Sequence, residues 1–149
     1  MAADALLDSN IVVVLIASRH QHHEPSRALF ELNPRQSFAI AAHSFAEAYV
    51  TLTRSGRAGL FEFQSREAWA ALDRLRSRIT LVGLTAAQNL DALRSYAESG
   101  GIGARFYDAM IGQTAVMHAI PTIMTWNTPH MRGLFPALDI ATPAEYLTR

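Results

Sequence analysis

Arg105 to Asn127 reads RFYDAMIGQTAVMHAIPTIMTWN, and the reading of this stretch decides the fold. Its first half is a helix-length run in which nearly every side chain is apolar or small, the pattern of a helix buried over most of its surface rather than along one stripe. Asp108 lies inside that run. A carboxylate without partners in such surroundings is costly, so Asp108 requires a cation, a cluster of donors, or water reaching it through a cleft. Pro121 closes the helix, and Thr122 to Trp126 is a β-branched and aromatic run that reads as a buried strand finishing at Asn127. A helix that enters with a carboxylate and a strand that leaves with an amide supply half of a polar site.

Upstream, strand and helix patterns alternate. Ala5 to Leu7 is a short apolar strand with Asp8 at its end. Ile11 to Ile16 either prolongs that strand, because β-branched residues favour it, or belongs to a helix running to Ser18 that Asp8, Ser9 or Asn10 caps. Both readings stand on the residues alone. Pro25 suits the first residue of a helix carrying Ala28, Leu29 and Leu32 inward, and Phe38 to Ala42 is a second strand. Ser44 then opens a helix with Phe45, Ala48, Tyr49 and Leu52 at helical spacing, and Gly56 and Gly59 bracket its exit. Phe61 to Arg78 is amphipathic, with Phe63 and Trp69 expected in the core, and Ile79 to Leu84 is a third strand. Thr85 and Gln88 form a capping-box pattern, opening a helix that closes at Gly100 and Gly101. Asp139 to Ala141 is a last short strand, and Thr142, Pro143 and Glu145 start a terminal helical turn. The alternation implies an α/β three-layer sandwich with a mainly parallel central sheet flanked by helices, whose ligands sit beyond the carboxyl ends of the strands.

A length of 149 residues suits one domain, large enough to bury about 70% of its unfolded surface. Cysteine is absent, which removes disulfides and thiolate chemistry and agrees with a cytoplasmic protein. The longest apolar run, Ala5 to Ala17, is broken by Asp8, Ser9 and Asn10 and falls short of the roughly 20 residues of a span, so no membrane association or export is expected. Net charge is zero and all thirteen basic residues are arginine, so any nucleic-acid binding must be local rather than driven by a long-range basic field. Charged residues make up 17% against about 25% in ordinary domains, which points to surface covered by a partner.

Asp8, Glu47 and Asp108 are the acidic residues in apolar surroundings, and each has a purely structural reading. Asp8 can cap the following helix; Glu47 completes a capping box with Ser44; Asp108 can pair with Arg105 near a helix start. The functional reading brings all three together as oxygen ligands of a hard divalent cation, which takes carboxylates, retained waters and substrate phosphate. Three repelling carboxylates and a cation imply one another.

The Asp-x-Asn ending the first strand (LLDSN), the Glu in the helix after the second strand (HSFAEAYVTLTR), the Asp of the buried helix (FYDAMIGQTAVMHA) and the strand ending TWN resemble, in order and spacing, PIN-domain nucleases and specifically VapC-like toxins. The resemblance covers nearly the whole chain and implies a single PIN-like nuclease domain over residues 1–149. It favours the helical reading after Asn10. It also implies an endoribonuclease of a type II toxin–antitoxin system, using magnesium, or manganese, held by Asp8, Glu47 and Asp108, in which a metal-activated water attacks an RNA phosphodiester. Asn10 would orient Asp8, and Asn127, with Thr125 beside it, stands where the family often has a further acidic residue. Implied partners are RNA, a cognate antitoxin that reaches into the site, and a second copy of the chain.

Weaker signals surround this core. Thr51 and Arg54 follow Glu47 on one helix face, so Arg54, with Arg57, is a candidate for RNA phosphate contacts. His20, His22 and His23 offer zinc no fourth ligand at useful spacing and read as loop histidines. Arg74, Arg76 and Arg78 read as the exposed end of the Trp69 helix. Two alternatives remain: a catalytically silent binding module of the same fold, and a magnesium-dependent phosphatase with Asp8 as nucleophile, against which stand Asn10 and the lack of lysine.

Overall fold

The computed structural model of the chain describes residues 2–54 and 61–149; Gly56, Gly59 and Arg57 lie outside them. Five short strands, β1 (Ala5–Leu7), β2 (Phe38–Ala41), β3 (Ile79–Val82), β4 (Thr122–Met124) and β5 (Asp139–Ala141), pair in the order β3-β2-β1-β4-β5. Every pairing is parallel. Leu6 and Leu7 show why: both are fully buried, one on each face of the sheet. Leu7 packs into a core with Ile11, Val12, Leu29, Ile40 and Leu52, whereas Leu6 packs with Ile111, Ala115, Ile123 and Ile140. The sheet is therefore the middle of three layers, as the alternation implied.

The segment after Asp8 is helical, as α1 (Ser9–Ile16). Ile11, Val12, Val13 and Val14 are buried in it, so tertiary burial outweighs their preference for strand. Next come α2 (His23–Leu32), α3 (Ala42–Thr53), α4 (Ser65–Arg76), α5 (Ala86–Glu98), α6 (Phe106–Met117), α7 (Thr128–Leu134) and α8 (Pro143–Leu147). The Thr85–Gln88 and Thr142–Glu145 capping boxes both form. A helix α7 was not read from the sequence, although its Pro at the first turn is a start signal.

Several expectations are corrected: among them, α2 starts at His23 rather than Pro25, and Leu32, expected inward, is 70% exposed. Ser44 does not open α3: the helix starts at Ala42, which puts Ser44, fully buried, in its first turn and Glu47 a turn further along, so the capping box cannot form. Trp69 is 55% exposed, because α4 turns Ala68 and Leu72 inward instead. Finally, α6 buries Ile111, Gly112, Thr114 and Ala115 but exposes Tyr107 and Val116. It is an outer-layer helix with one covered side.

Pro121 is not what ends α6. The Ile120 N–H reaches the Ala115 carbonyl at 2.9 Å and the Ala119 N–H the Val116 carbonyl at 3.2 Å, a Schellman termination. It requires a left-handed residue, and Ala119 takes that place with φ 53°. A β-carbon is strained there, so Ala119→Gly is expected to raise the stability to unfolding by about 0.5–1 kcal/mol, read as a higher urea midpoint at unchanged m-value.

Candidate active site

Where the strand order reverses, β1 lies between β2 and β4, and its end opens into a crevice beside the end of β4. Asp8 follows β1 there and is 7% exposed. Its backbone N–H extends the ladder to the Met124 carbonyl at 2.9 Å. One carboxylate oxygen, Oδ1, accepts from the Ser9 N–H at 2.6 Å; the other, Oδ2, accepts from the Thr125 hydroxyl at 2.8 Å and, at 3.3 Å, from Asn10 Nδ2. Asn10 is itself held across the crevice: Nδ2 donates to Thr125 Oγ1 at 3.0 Å, and Oδ1 accepts from the Trp126 N–H at 3.1 Å. The Asn127 N–H also donates to Thr125 Oγ1, at 3.0 Å. Asp8 is thus both the N-cap of α1 and the centre of a network between two strand ends.

Glu47 and Asp108 approach the same carboxylate from α3 and α6. Burial pushes Asp8 upward from the usual carboxylate range, Asp108 adds to the rise, and the Thr125 hydroxyl opposes it. Glu47 is raised by burial, then by the charges of Asp8 and Asp108. Asp108 is raised by burial, against the attraction of His130, Arg105 and His43. Asp108 thus acts through space on Asp8, and both act on Glu47. Glu47 Oε1 is buried with no hydrogen-bond partner. An unmatched acceptor beside two like charges suits a cation. Among the described residues no three acidic or imidazole side chains already enclose one point as a ligand cage.

Sequence reasoning missed Ser9, His43 and His130. His130 projects from α7 and places Nε2 3.1 Å from Asp108 Oδ2 without the alignment of a full hydrogen bond. It takes the place expected of Arg105, which acts on Asp108 only through space. Its approach depends on Gly112, where a β-carbon would overlap the Phe135 ring at the end of α7. Asn127 is exposed, and of its groups the backbone N–H joins the network. Arg54 is exposed at the end of α3. In the histidine cluster His22 lies flat on Trp126 at 3.9 Å and His23 Nδ1 meets the Val14 carbonyl at 2.7 Å.

The chain's architecture recurs in toxin–antitoxin structures. VapC20 of Mycobacterium tuberculosis, a sarcin-ricin loop cleaving toxin, superposes with a TM-score of 0.68 at 18% identity, over 87% of this chain and 94% of that one. VapBC2 of Rickettsia felis, bound to a promoter DNA fragment, gives 0.66 at 20% identity over 93% and 97%. VapBC-1 of nontypeable Haemophilus influenzae gives 0.64 at 15% over 94% and 98%. At these identities the likeness is one of fold. No curated protein matches the chain in sequence. The model of the PIN domain, however, matches residues 5–129, a span that takes in the first four strands, all three carboxylates and the crevice between β1 and β4. By that match the chain belongs to the PIN domain family.

Proposed function

We propose that this chain is a divalent-metal-dependent endoribonuclease and the toxin of a toxin–antitoxin pair, with residues 1–149 acting as one nuclease domain. The observation that carries the reading is the mutual repulsion of Asp8, Glu47 and Asp108, together with the unmatched Glu47 oxygen. Those three residues are assigned as metal ligands and catalytic carboxylates, supported by Asn10, Thr125 and Asn127. Magnesium is the first choice and manganese the second; when bound it supplies positive charge at the phosphate and acidifies water. The chain's own part is to hold Asp8 charged through its donors, to present Glu47 and Asp108 toward the cleft, and to take the water's proton on a carboxylate. Arg54 and Arg57 are assigned to the RNA backbone.

Two surfaces favour protein partners. A groove of about 580 Å³ is lined by Leu15, Ile16, Phe63 and Leu75 with Arg74 and Arg78 among its walls, which suits an antitoxin segment carrying apolar and acidic side chains. Leu90 and Leu93 of α5 and Tyr107, Val116 and Met117 of α6 are exposed, an apolar surface suited to a second copy of the chain. No helix among the described residues is long and apolar enough to cross a membrane, and action on RNA in the cytoplasm is the setting this reading requires. The neutral Asn127 favours, as a second reading, a silent binding module of the same fold.

Purified protein is expected to cut RNA with magnesium or manganese, to stop with EDTA, and to lose at least roughly 100-fold in rate in Asp8→Asn or Asp108→Asn, since even residues behind metal ligands cost 10–100-fold. Cleavage that survives both substitutions and EDTA overturns the assignment. Co-expression with the neighbouring small open reading frame is expected to give a stable complex and relieve growth arrest.

Glu47→Gln separates ligand from scaffold. A carboxyl raised in the folded state contributes stability that is present below its unfolded value and lost as pH rises through the folded one. The metal-free Gln variant should therefore melt like the parent below about pH 4.5 and increasingly above it as pH rises to neutrality, while cleaving poorly with magnesium. Equal melting at every pH and full activity would remove Glu47 from the site.

A further inference from the structure

Beside the carboxylates lies a cavity of about 360 Å³ whose walls are aromatic. His20, His22, Phe61 and Trp126 line it. Their rings are ordered against each other: His22 stacks nearly parallel on Trp126, at 3.9 Å and 8°, and His20 stacks on Phe61 at 6.0 Å and 25°. The Trp126 indole is pinned by its Nε1–H donating to the buried Ser26 hydroxyl at 3.1 Å. Among the described residues no carboxylate or guanidinium lines the cavity. Polar edges come from Gln21 and from Thr51, one turn beyond Glu47 on α3. His20 Nδ1 accepts from the His22 N–H at 3.1 Å, which puts the ring proton on Nε2. Burial and the neighbouring His22 both push the His20 pKa down, so the ring is neutral at neutral pH.

Residues that hold Asp8 also line this cavity. Ser9 and Asn10 line it and are also the residues whose groups reach Asp8. Trp126 likewise lines it while its N–H holds Asn10. An occupant here sits next to whatever phosphate the carboxylates address. A neutral, flat-walled space with hydrogen-bonding edges suits neither phosphate nor a cation, but it does suit a planar heterocycle; unpaired bases are recognised in this way, by stacking on aromatic rings and by contacts at their edges. The chain's zero net charge sharpens the requirement, because affinity for RNA cannot come from a broad basic surface.

Resting on the ribonuclease reading above, we propose that this cavity is a nucleobase subsite, which receives one unstacked base of single-stranded RNA next to the scissile phosphate. The subsite would make the enzyme select unpaired or extruded nucleotides, with stacking on the His22–Trp126 pair as the anchor.

Trp69 and Trp126 are the chain's two tryptophans, so a Trp69→Phe background makes Trp126 the sole indole reporter. In that background, with EDTA present so that binding is read without turnover, a short single-stranded oligoribonucleotide should quench Trp126 emission, and the same oligomer with abasic residues should not. His22→Ala should weaken oligomer binding by at least about fivefold, while His22→Phe, which keeps a stacking ring, should stay close to the parent. His20→Ala gives an independent measurement on the other side of the cavity and should also weaken binding. Equal binding of intact and abasic oligomers, or parental affinity in both alanine variants, overturns the subsite. Trp126 quenching by the antitoxin's peptide but by no oligoribonucleotide overturns it in favour of a protein occupant. Base-dependent quenching without metal-dependent cleavage in a parallel assay would uphold the subsite and remove the nuclease reading; cleavage without base-dependent quenching does the reverse.

Discussion

Charge repulsion among three carboxylates in one cleft is the constraint on which the rest of the structure depends. Asp8 stands at the end of a strand with no polar side chain, and Glu47 and Asp108 come to it from helices on different parts of the chain. Burial raises all three, and the charges of their neighbours add to the rise for Asp8 and Glu47. Such an arrangement subtracts from stability unless donors or a cation answer it. For Asp8 the donors are present: backbone, hydroxyl and amide each contribute one. For Glu47 one oxygen is buried without a partner, and that is where a ligand would act.

The apolar layers bear that cost. Both faces of the sheet are covered, and the strands nearest the site, β1 and β4, have every residue buried. Short parallel strands with both faces of the sheet covered by helices leave the carboxyl-end crevice as the place where polar groups gather. A site built on strand ends and first helical turns is held by the core rather than by flexible loops, so its carboxylates are pre-positioned.

Much of this was legible in the sequence because each strand is bounded by a polar or helix-starting residue. LLDSN, the Thr85–Gln88 pair and the Thr142–Glu145 pair all behave as read. Errors arose where local chemistry admits two registers. Ser44 and Glu47 have the spacing of a capping box, yet Ala42 already takes helical geometry behind a fully buried β2, and no local signal tells the first turn from the cap. The spacing groups Trp69 with Leu72 and Leu75 on one side of its helix, but the inward face of α4 is rotated toward the smaller Ala68 and Leu72. His130 escaped because its importance is tertiary: it meets Asp108 only once α7 lies against α6, a closeness that Gly112 permits and that spacing along the chain does not encode.

The Thr125 hydroxyl, fully buried, accepts from Asn10 Nδ2 and from the Asn127 N–H and so has one direction left in which to send its proton, toward Asp8. Since one of those donors is backbone in the turn after β4, the hydroxyl works as a mechanical coupling between main chain and carboxylate. Asn10 and the Asn127 N–H fix the two acceptor lobes of the hydroxyl, and that keeps its proton on Asp8. The polarity of the site is thus geared to the shape of the turn that carries Trp126, and whatever presses on that turn is felt at the carboxylate without touching it.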